Sequence, residues 1–276
     1  MAAAEDLVVL DRGNNTTVSI HLFGATLISW KIGGEEQIFV STLAKFDNKK
    51  AIRGGIPLVF PQFGPWDLGP QHGFARISRW QLTQPPKKES NNDITCVLTL
   101  EDNEDTRKMW NYKFMLTYEV TLMEDKIETS FKVENIGSEE FKFTCLLHSY
   151  FKVDDVKKVT VTGLKGCQFA DKVKDSTGQE TREEVEVREN VDVVYENTPN
   201  EHVIKNTTGN RAIKITKVNL PDTVVWNPWR EKAAAMADFG DSDYPYMVCV
   251  EAGKVAEHYK LAGGATYQGS QLIHRL

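Results

Sequence analysis

At 276 residues, with 41% hydrophobic and 26% charged side chains, the chain has the composition of a soluble globule long enough to bury a sizeable core. Its 33 basic and 39 acidic residues leave a formal net charge of −6, which argues against general nucleic-acid binding and against long-range steering of an anionic ligand. An anionic substrate would therefore need a local cluster of cations.

The start, MAAAEDLVVL, has no basic segment leading into an apolar one, and no apolar run approaches the ~20 residues that span a bilayer. Cys96, Cys145, Cys167 and Cys249 are far apart, without metal-ligand spacing. Cys96, Cys145 and Cys249 sit in apolar runs and read as buried, reduced thiols. The expectations are a cytoplasmic monomer, with no metal or other cofactor and no nucleic-acid or membrane partner.

In chain order, residues 17–23 and 27–32 alternate apolar and polar side chains and predict two strands. Gly33-Gly34 marks a hairpin turn, and residues 38–41 predict a short return strand. Residues 51–80 are dense in glycine and proline yet carry Phe60, Phe63, Trp66 and Phe74, which predicts an ordered functional loop. Residues 85–92 read as a polar connection and 101–108 as a charged surface turn, with a strand at 94–100 between them. The clearest alternation runs through Tyr112, Phe114, Leu116, Tyr118, Val120 and Leu122, and residues 126–134 repeat it. The Glu124-Asp125 connection is too short for a crossover helix, so this pair is antiparallel. A third long strand is predicted over 141–151, with His148 on the face of Thr144, Leu146 and Tyr150.

Beyond residue 159 short strands alternate with turns, and the charge-dense 180–189 reads as solvated surface. Residues 211–217 and 223–226 predict strands, and 231–237 one or two helical turns. Residues 247–251 predict a strand with Met247, Cys249 and Glu251 on one face. With no helix of ordinary length and no βαβ rhythm, the fold class is all-β: one domain over residues 1–276, built as a large antiparallel β-sandwich.

Two groups could do proton chemistry. His148 stands in CLLHSYF, where a satisfied structural histidine is the ordinary alternative. Glu251 ends the run YMVCVEAG, where a carboxylate either meets water or faces a cleft, since burial without a partner is costly. Arg53 and Arg76 present planar forks suited to carboxylate or phosphate, with surface ion pairing as the alternative. Gln71 and His72 could bond hydroxyls. Trp66, Phe74, Trp226 and Trp229 could pack on the C–H face of a sugar, with core packing as the alternative. No GxSxG, HExxH or nucleotide-binding loop is present.

Taken in order, IRGGIPLVFPQFGPW, QHGFARISRW, LLHSYF, VWNPW and VEAG resemble the glucose-6-phosphate 1-epimerase (hexose-6-phosphate mutarotase) branch of the aldose 1-epimerase family, from about residue 24 to 271. The resemblance implies a galactose-mutarotase-like β-supersandwich and the interconversion of α and β anomers of hexose 6-phosphates without a cofactor. It implies that His148 and Glu251 are catalytic, as acid and base, and that Arg53 and Arg76 bind phosphate. Gln71 and His72 then lie beside the sugar hydroxyls. Asp192 matches a substrate-binding aspartate of a segment that usually reads Asp-Arg-(Ile/Val)-Tyr; here Val193 replaces the arginine. Mutual attraction is expected to raise the His148 pKa and lower that of Glu251. A free-sugar epimerase and a non-catalytic carbohydrate-binding sandwich are the alternatives.

Overall fold

A computed structural model of the chain describes residues 4–276. Among them three antiparallel sheets dominate, of four, eight and nine strands. The nine-stranded sheet holds the predicted hairpin as Phe114–Leu122 paired with Lys126–Asn135, in unbroken register from Phe114↔Asn135 to Leu122↔Ile127. Its alternation is strict: Phe114, Leu116, Tyr118, Val120 and Leu122 are all fully buried. The eight-stranded sheet holds Phe141–Leu147, Tyr150–Lys152, Val191–Glu196, Asp222–Asn227 and Met247–Leu261.

The two large sheets share one core. Leu116, Tyr118 and Phe131 of the nine-stranded sheet fall in the same buried cluster as Phe143, Leu147, Val225 and Val250 of the eight-stranded one. This is the predicted sandwich, in which inward side chains of both sheets interdigitate. Because successive residues on a strand point to opposite faces, the neighbours of these core residues form a second cluster on the far face, with Leu146, Tyr150, Val224, Trp226 and Cys249. Val224 and Trp226 of that far face line the candidate site.

Several segments differ from expectation for physical reasons. Residues 85–88 belong to a strand, Gln81–Lys88, rather than a connection. It stands at the end of its sheet, where prolines that cannot donate to a ladder are tolerated. Residues 104–109 form a short helix rather than a turn, started by Asn103, whose side chain accepts from the N–H groups of Asp105 and Thr106. The charge-dense 180s are not all solvated: Glu180 is buried, held by Arg182 and by the Tyr195 hydroxyl. The third long strand breaks at His148-Ser149 into Phe141–Leu147 and Tyr150–Lys152. The four cysteines are all free and buried. No helix among the described residues is long and apolar enough to cross a membrane.

Candidate active site

The site is built first by strand register. Asp192 pairs with Trp226, and Val224 pairs with Glu251. Their chain neighbours Val193, Val225 and Val250 are buried in the inter-sheet core. Alternation therefore turns Asp192, Val224, Trp226 and Glu251 to the far face together. Gly253 lets the strand of Phe141–Leu147 approach closely: a Cβ there would stand 2.8 Å from the Cys145 carbonyl oxygen. His148, just past the end of that strand, stacks on Tyr150 at 4.7 Å between centroids, 11° from parallel.

The 51–80 loop supplies the other wall. His72 adopts a left-handed backbone, φ 68°, uncommon for a residue with a side chain. Gly64 holds it there: the His72 N–H donates to the Gly64 carbonyl at 2.9 Å, and the Gly64 N–H donates to His72 Nδ1 at 3.1 Å. Since Nδ1 accepts, a neutral ring carries its proton on Nε2. Gln71 lies 3.4 Å away, and its carbonyl rather than its NH₂ suits that Nε2–H. The following Gly73 is forced by space, because a Cβ would stand 2.1 Å from the Phe60 carbonyl oxygen.

Together these elements enclose a cavity of about 250 Å³. It is lined by all seven residues singled out from the sequence: Arg53, Gln71, His72, Arg76, His148, Asp192 and Glu251. Sequence reasoning missed Lys172 and Lys232, which also line it. Of the four aromatics considered for a sugar face, Trp226 alone lines the cavity; Phe74 is core, Trp66 packs on Phe74, and Trp229 on Tyr244.

His148 and Glu251 meet directly, Nδ1 to Oε1 at 3.2 Å. The contact is close enough for a charge interaction but off the line of a hydrogen bond, and both Nδ1 and Glu251 Oε2 are buried without a hydrogen-bond partner. The expected pKa pattern is reversed. Burial, with help from His72, Arg76 and Arg53, holds His148 well below its ordinary value. Burial and the nearby Asp192 push Glu251 well above its own. Desolvation penalises both charged forms and outweighs the pair's mutual attraction.

The cations are held differently. Arg53 Nε donates to Asp238 at 3.2 Å, and an Nη lies 3.4 Å from the Tyr150 hydroxyl. Burial works against its charge, but Tyr150 and Asp238 outweigh it and the pKa is raised. The loop bearing Asp238 is knotted to residues 41–42 by buried Asp243. Its carboxylate accepts from the Ser41 hydroxyl at 2.9 Å, the Thr42 N–H at 2.8 Å and the Gly240 N–H at 3.2 Å. Ser41 N–H in turn donates to the Arg53 carbonyl, so one carboxylate ties both ends of the Arg53–Asp238 pair. Arg76 donates to the Gln71 carbonyl at 2.8 Å, while its Nε is buried and unpartnered. Burial pushes its pKa down to about 10, which leaves it charged at neutral pH. Burial and these neighbouring cations push His72 down to about 2, so it is a neutral hydrogen-bonding group.

The sequence signature described as aldose 1-epimerase matches residues 6–274. The chain belongs to the aldose 1-epimerase family. Within it, the chain is 36% identical over 270 residues to a protein of Cenchrus ciliaris and 34% identical over 260 residues to one of Escherichia coli, both named "Putative glucose-6-phosphate 1-epimerase". These alignments cover 95% and 93% of this chain and 82% and 85% of those relatives. A crystal structure of a "putative mutarotase" from Salmonella typhimurium superposes with a TM-score of 0.87 at 31% identity, covering 99% of this chain and 92% of that one. A galactose mutarotase related enzyme from Lactobacillus acidophilus shares the fold at TM-score 0.79 and 18% identity. The galactose-mutarotase-like sandwich expected for an aldose 1-epimerase is the fold found.

Proposed function

We propose that the protein interconverts the α and β anomers of hexose 6-phosphates, chiefly glucose 6-phosphate, by acid–base ring opening and reclosure within one catalytic domain. The observation that carries this reading is a histidine and a carboxyl 3.2 Å apart on one wall of a small cavity. Arg53, Arg76, Lys172 and Lys232 line the same cavity in a protein whose net charge is −6. That local excess of cations is what an anionic sugar requires, and it favours the phosphorylated substrate over the free-sugar alternative.

Ring opening removes a proton from the C1 hydroxyl and adds one to the ring oxygen as the C1–O5 bond breaks. Glu251 is assigned as the base and His148 as the acid. At rest burial holds the pair as carboxylic acid and neutral imidazole. The step starts from the carboxylate–imidazolium tautomer of equal proton count, reached by passing one proton across the 3.2 Å contact, and ends again with a carboxylic acid and a neutral imidazole. Burial in this site favours that end state, by the pKa directions above. Ring opening is thus accompanied by discharge of two poorly solvated ions. Rotation about C1–C2 presents the other face of the aldehyde, and reclosure returns both protons. The pair's proton count is restored at each turnover, and each positioned transfer is worth ~10²–10⁴ in rate.

The sugar body has partners to match: the Nε2–H of His72, the amide of Gln71, the Asp192 carboxylate and the ring of Trp226. Asp192 lies 3.5 Å from Lys232, which steadies it from the helix Trp229–Ala234.

The test is to add protein to freshly dissolved α-glucose 6-phosphate and, separately, α-glucose, and follow the anomeric proton signals. Faster equilibration of the phosphate, with little effect on the free sugar, supports the assignment. Equal acceleration of both identifies a free-sugar epimerase, and binding without acceleration identifies a carbohydrate-binding module.

A further inference from the structure

We propose that Lys172 is a specificity-determining residue of this site: a cation poised on the cavity rim that swings from an aromatic rest onto the anionic group of the bound sugar. This rests on the sugar-phosphate reading above and adds a residue to it.

Three observations carry the inference. First, the backbone at Lys172 is fixed. It opens the turn between strands Gln168–Asp171 and Ser176–Gln179, and its N–H donates to the Asp192 carbonyl at 2.8 Å. Asp171 pins the same turn by accepting from the N–H groups of Val173 and Lys174 at 2.9 and 3.0 Å. Secondly, the ammonium is not neutralised. Arg53 has Asp238 and Lys232 has Asp192, yet among the described residues no carboxylate lies within ion-pair distance of Lys172. Its Nζ rests instead over the ring of Phe63, 4.1 Å from the centroid. Thirdly, that ring belongs to the cavity wall: it lies 5.3 Å from the His72 ring, and the Phe63 N–H is tied to the Thr144 hydroxyl at 2.6 Å.

A cation–π contact at a partly solvated site is weaker than a charge-assisted hydrogen bond to a phosphate oxygen. The lysine therefore leaves Phe63 when such an oxygen is offered, and the long flexible stem allows the movement with the turn unmoved. Arg53 and Arg76 are pre-set donors on rigid walls, whereas Lys172 is the adjustable one. The expected consequence is discrimination between phosphorylated and free hexose.

The experiment compares the wild-type protein with Lys172→Met and Lys172→Arg, measuring anomer exchange of glucose 6-phosphate and of glucose at low and moderate salt. The Met variant should raise KM for the phosphate by about tenfold at low salt, with a much smaller change in kcat and in KM for glucose. The Arg variant should recover most of the loss, and added salt should shrink the gap between wild type and Met variant. An unchanged KM for the phosphate overturns the proposal, and so does an equal loss on both sugars. If wild-type protein exchanges no hexose 6-phosphate at all, the function proposed above fails. The role of Lys172 is then decided by calorimetric titration with inorganic phosphate: weaker binding to the Met variant supports it, and equal binding overturns it.

Discussion

Replacing Glu251 by Gln should abolish anomer exchange and, at neutral to mildly alkaline pH, make the protein more stable. Glu251 is 1% exposed, its Oε2 has no hydrogen-bond partner, and burial raises its pKa. The sign follows from linkage. A carboxyl whose folded pKa exceeds its unfolded value, near ~4.3, contributes its full share below that value. The contribution is lost as pH rises through the folded pKa, because the unfolded chain sheds the proton first. Between the two values the loss is one proton's worth, ~1.4 kcal/mol per pH unit. His148, depressed in the folded state, acts with the opposite sign: its contribution is present above the unfolded value near ~6.5 and lost as pH falls towards the folded one. Subtracting the Gln variant from wild type cancels the histidine to first order and isolates the carboxyl. The assay is urea denaturation followed by tryptophan fluorescence for both proteins from pH ~5 to ~8. The variant's advantage should grow by up to ~1.4 kcal/mol per pH unit until the folded pKa is passed, then level off. A flat difference, or one that turns against the variant as pH rises, would refute the claim that Glu251 is held protonated by burial.

Arg53→Ala or Arg76→Ala should raise KM for glucose 6-phosphate by about tenfold or more and leave KM for free glucose little changed, checked by initial rates on both sugars. Asp243→Ala should destabilise the fold by ~2–4 kcal/mol, since several buried donors lose one acceptor, and should weaken phosphate-dependent KM through the Arg53–Asp238 pair; melting and kinetics check the two effects. Gly73→Ala should cost at least ~2 kcal/mol in denaturant unfolding, because its Cβ would meet the Phe60 carbonyl oxygen and its φ is +73°.

Much of this site was legible in the sequence because β structure carries its own address. The alternation in residues 114–122 and 126–134 fixed faces as well as strands, and the same rule put Cys249 and Glu251 on one face. The 51–80 loop was recognisable from its glycines, prolines and aromatics, and its Arg53, Gln71, His72 and Arg76 do reach the cavity. Lys172 and Lys232 were not legible. Lys172 sits in a polar turn and Lys232 in a short predicted helix, places where a lysine looks like ordinary surface, and the pairings of Asp171 with Val193 and of Asp192 with Trp226 bring the two stretches to the same rim. The charge states of His148 and Glu251 were misjudged for a related reason. Pairwise attraction can be imagined from residue types, but desolvation depends on how deeply three strands and a loop bury them. The strand at 81–88 was missed because its two prolines argue against a strand unless its place at a sheet edge is known.

The central claim is that His148 and Glu251 move the protons while the other cavity residues bind the sugar. It is tested most directly by His148→Asn, with binding of glucose 6-phosphate measured by calorimetry and α-to-β exchange measured by magnetisation-transfer NMR on the same sample. Retained binding, with exchange at least ~10²-fold slower than wild type, is the predicted result. Exchange at the wild-type rate in a variant that still binds would contradict it.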